Sequence, residues 1–204
     1  MTTITQPRMT PTAVRILDTA EGLFYEHGIR AIGVERIADE AATTKKTIYD
    51  RFGSKDGLIS AYLRQRCARW QAYVTEHLAE NRPDPGEERV LAVLDALDRW
   101  MTGRSRGCGF INAYAELAGT GHEALPIIEA EKHWTRDQYI GLLAEMGVPD
   151  ADRRGRELAL VHEGVVVQLT AGAQPDAMDD ARALARRLVR DGVAARDATA
   201  MTVG

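Results

Sequence analysis

The sequence predicts an all-α protein, and three observations predict it. Apolar residues recur at spacings of three and four along most of the chain, the period of a helix with one buried face. Glycine and proline fall between those stretches, and strictly alternating runs punctuated by turn residues are absent. The apolar fraction of 45% over 204 residues is ordinary, enough for a sizeable core.

The elements follow in order. Val14, Leu17, Ala20, Leu23 and Phe24 make a stripe from about Thr12 to Glu26, and Gly28 stands where a helix stop is expected. A shorter helix turns Val34, Ile37, Ala38 and Ala41 inward. A third is predicted from Thr44 to Phe52. Ser54 then fits as the N-cap of a long helix carrying Leu58, Ile59, Tyr62, Leu63, Trp70, Val74 and Leu78. Pro83, Pro85 and Gly86 break it. Val90, Leu94, Leu97 and Met101 mark the next helix, which runs to a glycine-rich joint at 103–109. Helices over 110–118, 124–146, 152–171 and 176–190 complete the chain, and the small, polar residues after Gly192 predict a fraying tail.

Composition excludes several function classes. A net charge of −4 argues against a protein that coats nucleic acid or membrane with its whole surface, while leaving room for one basic face. Cys67 and Cys108, without a CxxC pair, are neither a disulfide framework nor a zinc ligand set. The Thr- and Pro-rich start lacks the apolar run of a signal peptide, and no stretch approaches the roughly 20 apolar residues that span a bilayer. A cytoplasmic protein with no membrane association, no metal and no cofactor is expected. His122-Glu123 and His162-Glu163 look like half of a zinc-protease motif, but Pro126 and Val166 stand where a second histidine would be needed. An enzyme is therefore not expected.

The segment 44–55 carries the functional signal. In a helix starting at Thr44, Ile48 and Phe52 share one face, Lys46, Tyr49 and Asp50 point the other way, and Lys45, Thr47 and Arg51 flank them. An apolar seat with donors and cations opposite suits a helix that enters a DNA groove. Thr44 can cap the helix or contact phosphate; Thr47, Tyr49 and Lys55 suit phosphate oxygens; Lys45 and Lys46 suit the acceptor edge of guanine. A cluster such as Lys45, Lys46, Arg51 and Lys55, taken alone, is more often just a solvated surface.

The surrounding residues decide between these readings. Ile16-Leu17-Asp18, Ala20, Leu23-Phe24, Gly28, Val34, Ile37-Ala38, Ala41, Thr44-Lys45, Thr47-Ile48-Tyr49, Phe52, Ser54-Lys55 and Leu58 resemble the DNA-binding module of the TetR family of transcriptional regulators. The resemblance implies an N-terminal three-helix helix-turn-helix domain (1–57, with 1–11 as an arm) and a C-terminal helical ligand-binding and dimerisation domain (58–191), followed by a flexible tail (192–204). It implies a homodimeric repressor that binds double-stranded operator DNA and responds to a small-molecule effector. Three positions depart from the family's pattern. Ala42 stands where glycine is usual in the turn, and Gly33 where a hydroxyl cap is frequent. Asp50 occupies a position that is commonly aromatic or neutral, so it is either a base-reading residue or an internal partner of Arg51 or Lys46.

Candidate effector contacts in the second half are Tyr62, Arg66, Trp100, Phe110, Asn112, Tyr114, Trp134, His162 and Glu163. Each one singly is more often a packed core or interface residue. Glu163 lies inside an apolar helix, where an unpaired carboxylate is costly, so it calls for His162, Arg66, a polar ligand or solvent. Cys108, with Arg104 and Arg106 beside it, is an alternative trigger, since neighbouring cations favour a reactive thiol; a buried structural cysteine is the plainer reading. The stripes Leu158, Val161, Val165, Leu169 and Ala181, Leu184, Leu188 suit an intermolecular four-helix bundle or an intrachain core.

Overall fold

The structure, a computed structural model, describes residues 10–82 and 84–203. It contains helices α1 (Pro11–His27), α2 (Val34–Glu40), α3 (Lys45–Phe52), α4 (Lys55–Asn81), α5 (Glu87–Met101), α6 (Gly109–Leu117), α7 (Leu125–Glu145), α8 (Ala151–Thr170) and α9 (Ala177–Val203), with no strand among the described residues. The arm expected at 1–11 falls, as far as residue 9, outside the described residues, and so does Pro83.

Helix ends lie within a residue or two of the boundaries read from the sequence, with one exception. The last helix, expected to stop at Arg190, runs on to Val203, across most of the segment expected as a tail. Alanine is the strongest helix former, and Ala194, Ala195 and Ala198 follow Gly192. Val193 packs on the core, and the Arg196 guanidinium donates to the Met146 carbonyl at 2.9 Å. Composition alone hid these tertiary contacts.

The chain forms two compact units. One comprises the chain up to Cys67 together with Gly109–Ile128; the other comprises Ala68–Cys108 and everything from Glu129 onward. In the first unit, the Thr10 hydroxyl accepts from the Ala13 amide and Pro11 opens α1, where its missing N–H costs nothing. Ile16, Leu17, Ala20, Leu23 and Phe24 of α1 are buried with Ile37, Ile48, Leu58 and Tyr62, the arrangement that the helical spacing predicts. Gly28 ends α1 at φ +89. A side chain there would also meet the carboxylate of Glu116, whose Oε1 lies 3.0 Å from where a Cβ would stand. Glu116, at the end of α6, accepts from the Ile29 amide (2.9 Å) and the Arg30 amide (2.7 Å). Arg30 returns a bond from its guanidinium to the Glu116 carbonyl at 2.6 Å. This clasp fixes the turn that leads into the helix-turn-helix.

The second unit is built on a core from α4, α5, α7, α8 and α9, including Trp70, Val74, Leu94, Tyr139, Leu143, Leu158, Val165 and Val189. Gly155 lets α8 cross α7 closely, since a Cβ there would lie 2.4 Å from Ile140 Cγ1 and 2.8 Å from its backbone nitrogen.

Ala42, in the turn between α2 and α3, has φ +47, left-handed backbone that costs an L side chain about 1–2 kcal/mol. Glycine relieves that strain but loses about 0.4–1 kcal/mol through the freer unfolded chain. Ala42→Gly is therefore expected to stabilise the protein by about 0.5–1 kcal/mol, seen as a melting temperature higher by a few degrees. An unchanged or lower value would show that the turn is not strained.

Candidate nucleic-acid interface

The short helix α3 is seated from behind and capped at its start. Ile48 is fully buried and Phe52 half-buried, which seats the helix from behind, and α3 packs on α2. The Thr44 hydroxyl accepts from the Thr47 amide at 3.1 Å and lies 2.9 Å from the Thr47 hydroxyl. Thr44, Lys45, Lys46, Tyr49, Asp50 and Arg51 are exposed, and Thr47 is half-buried. Seven of the eight predicted contact residues thus lie on or at the start of α3. Gly33 begins α2 without a side-chain cap, as its lack of a side chain requires.

Electrostatics on this face are paired. Lys45 Nζ donates to Glu35 Oε1 at 2.8 Å, and Lys46 Nζ donates to Asp50 Oδ2 at 2.8 Å. The bond from Glu35 holds the Lys45 ammonium above its ordinary pKa, Lys45 in turn holds the Glu35 carboxyl below its own, and Asp50 raises Lys46. Of the partners open to Asp50 in the sequence, Lys46 is the one it meets. Lys55 is half-buried, and its Nζ donates to the Ile29 carbonyl at 2.8 Å. Burial pushes that ammonium below its ordinary value, against the opposing pull of Glu116 and Asp56.

The nine candidate effector residues divide between the units. Tyr62, Arg66, Phe110, Asn112 and Tyr114 belong to the first, and Trp100, Trp134, His162 and Glu163 to the second. Tyr62 is buried against Phe24, with ring centroids 5.6 Å apart. Arg66 is buried, bonded to Glu21 at 2.9 Å and placed over the Phe110 ring. Asn112 is half-buried and Tyr114 exposed. In the second unit Trp100 packs on Trp70 at 5.4 Å, and Trp134 lies half-buried on the same core. His162 is buried, its ring edge-on to Trp70 and its Nδ1 3.1 Å from the Tyr139 hydroxyl. Burial pushes its pKa down to about 3, with the Lys132 charge adding to the shift, so the ring is neutral. An open cleft of about 650 Å³, lined by Glu87, Glu145, Met146, Arg190, Val193 and Arg196, contains none of the nine.

Glu163 meets a residue that the sequence did not single out. Lys132 Nζ of α7 bonds both its oxygens, at 2.8 and 3.0 Å. The same ammonium lies 3.0 Å from Glu131 Oε2 and 3.5 Å from Cys108 Sγ. Glu131 is only 3% exposed and accepts from the Thr135 hydroxyl at 3.0 Å; burial raises its pKa despite Lys132. Arg104, expected beside the thiol, donates to the Trp100 carbonyl and lies over its ring. A carboxylate within an apolar helix signalled that some cation must exist, but nothing local marked Lys132. Glu116 gave less: an acid on a short helix looks solvated until the fold brings the α1–α2 turn to it. The two His-Glu pairs are occupied in packing: His122 Nδ1 accepts from the Ala124 amide, and Glu123 accepts from Ser60.

The two stripes that suited either a dimer bundle or an intrachain core contribute several residues to the core. Leu158, Val165 and Ala181 are buried in the second unit's own core, so for them the intrachain reading holds. A different stripe of α8 is left exposed: Leu160 (74%) and Val167 (56%), with Gly164 between them and open space around it; Leu184 of α9 is also exposed.

Comparison with known proteins agrees with this geometry. Residues 16–62, spanning α1 to the start of α4, match the family described as bacterial regulatory proteins, tetR family. A TetR-family transcriptional regulator from Streptomyces coelicolor superposes with a TM-score of 0.81 at 30% identity, over 89% of this chain and 96% of that one. An uncharacterized HTH-type transcriptional regulator of Mycobacterium tuberculosis is 28% identical over 178 residues, 78% of this chain and 85% of its own length. Another from Bacillus subtilis, YvkB, is 42% identical over 57 residues. With the segment 16–62 matching the family and nearly the whole chain superposing on a member at 30% identity, the chain belongs to the TetR family of transcriptional regulators.

Proposed function

We propose that this regulator is a ligand-responsive repressor of the cytoplasm that binds a palindromic operator as a homodimer and acts by binding rather than catalysis. The observation that carries the reading is α3, with Ile48 buried behind it and Lys45, Lys46, Tyr49 and Arg51 exposed in front. A helix presented in this way fits the major groove, its capped N-terminus toward the backbone. Thr44, Thr47, Tyr49, Arg51 and Lys55 are assigned to phosphates, and Lys45, Lys46 and Asp50 to base edges. Lys55 spends one donor on the Ile29 carbonyl, and two of its three remain. Residues 1–57 are assigned to DNA reading and 58–191 to sensing and dimerisation; the candidate effector contacts are Trp100, Trp134, His162 and Glu163 in the second unit, and Tyr62, Arg66, Phe110, Asn112 and Tyr114 in the first.

The exposed stripe Leu160, Gly164, Val167 supports the dimer, because a monomer gains nothing from leaving it in water. On a duplex selected from a random pool, native mass spectrometry is expected to show two chains and footprinting to show protected half-sites about 34 Å apart. Leu160→Glu is expected to yield monomers and to weaken operator binding about 100-fold, as loss of two-headed attachment does. A monomer of the unaltered protein protecting one asymmetric site would overturn the reading.

A second trigger is favoured by one distance, the 3.5 Å between Lys132 Nζ and Cys108 Sγ. Under the non-covalent reading Cys108→Ser keeps the response to effector and Trp134→Ala shifts its dose dependence. If Cys108→Ser abolishes the response while Trp134→Ala leaves it intact, thiol modification is the trigger instead.

A further inference from the structure

Between Gly33 and Ser54 the chain carries four carboxylates and four cations. Both lysines on α3 are held in ion pairs, Lys45 by Glu35 from α2 and Lys46 by Asp50 one turn further along, each at 2.8 Å. All four side chains are more than half exposed. Exposed pairs contribute little to stability, and neither carboxylate fills the core. The pairing therefore has its consequence in binding. DNA affinity ordinarily grows with each phosphate that a cation neutralises, through release of counterions. A lysine that swings from its carboxylate to an arbitrary phosphate leaves that carboxylate facing the same backbone, so attraction and repulsion largely offset. At a G·C pair both ends are satisfied: the lysine donates to guanine O6 or N7, and Asp50 accepts from the cytosine amino group.

We infer that Glu35 and Asp50 are specificity-determining residues, which suppress attachment to arbitrary duplex DNA so that affinity comes from base recognition. The inference rests on the reading of α3 as the DNA-contacting helix. It is tested with the full chain, titrating a random-sequence duplex and the selected operator over a series of salt concentrations. Glu35→Gln and Asp50→Asn are each expected to tighten random-duplex binding about threefold or more and to steepen the log–log salt slope by about one unit. Operator affinity should rise less, so the ratio of the two falls, and Asp50→Asn should also lose preference at one base pair of each half-site. The control is Asp152→Asn, an exposed carboxylate of α8 paired with Arg156, which should change neither quantity. Unchanged random-duplex affinity and slope in both variants would overturn the inference, as would an equal gain in Asp152→Asn, which marks a net-charge effect. Failure of the DNA reading itself looks different: the unaltered protein would then show no salt-dependent affinity for any duplex, and Lys46→Ala would change nothing.

Discussion

Lys132→Met is expected to destabilise the protein by about 2–3 kcal/mol at pH 7. The substitution removes the cation shared by Glu131 and Glu163 and leaves the former, 3% exposed, with only the Thr135 hydroxyl. Breaking a fully buried pair by deleting one partner costs about 3–5 kcal/mol. Lys132 and Glu163 are 24% and 34% exposed, which places this case toward the low end. The loss should depend on pH in a specific sense. Burial already raises the Glu131 carboxyl, and removing Lys132 takes away the main influence that lowers it. A group with a raised folded pKa favours the fold when protonated and opposes it as pH rises through that pKa. The deficit should therefore shrink between pH 7 and 5, and Glu131→Gln in the Lys132→Met background should recover more than half of it. Urea unfolding at the two pH values checks both statements. A deficit that is constant with pH and untouched by the second substitution would place the cost in packing.

His162 should govern acid stability on a comparable scale. Its ring is buried neutral with a pKa of about 3, whereas the unfolded chain protonates near 6.5. For a base with a depressed folded pKa, the stability is present above the unfolded pKa and lost as pH falls. The slope is about 1.4 kcal/mol per unit, so roughly 2 kcal/mol is gone by pH 5, and the loss continues toward pH 3. His162→Gln retains an acceptor for the Tyr139 hydroxyl and has no proton to gain. Its stability should fall less steeply between pH 6.5 and 5. Identical profiles for the two proteins would mean that the ring is already accessible to protons in the folded state.

The all-α class and nearly every helix boundary were legible because they depend on local signals: a 3.6-residue period, caps at Thr44 and Ser54, and the glycine at 28. The front and back of α3 were legible for the same reason, since one helix carries both. Partners far apart in sequence were not. Glu116 takes its donors from Ile29 and Arg30, Lys132 reaches Glu163, and Glu35 takes Lys45 from a neighbouring helix. Each is a polar residue whose own segment makes it look solvated. Whether the Leu158 stripe of α8 serves a core or an interface stayed open in the sequence, because which face of α8 turns inward depends on how it crosses α7 at Gly155, and no periodicity contains that angle.

The clasp at Glu116 bears on how such proteins exchange parts. The first unit is discontinuous in sequence, closing only when Gly109–Ile128 joins the chain up to Cys67. A fragment cut at Cys67 would leave the Ile29 and Arg30 amides without their acceptor, and Ser60 without Glu123. Recombination that moves the first unit into a foreign chain must carry the later segment too, or supply a carboxylate in its place. Three cuts rather than one would then be needed to lift that unit out intact, which makes its exchange by simple shuffling a rarer event than the linear order of the helices suggests.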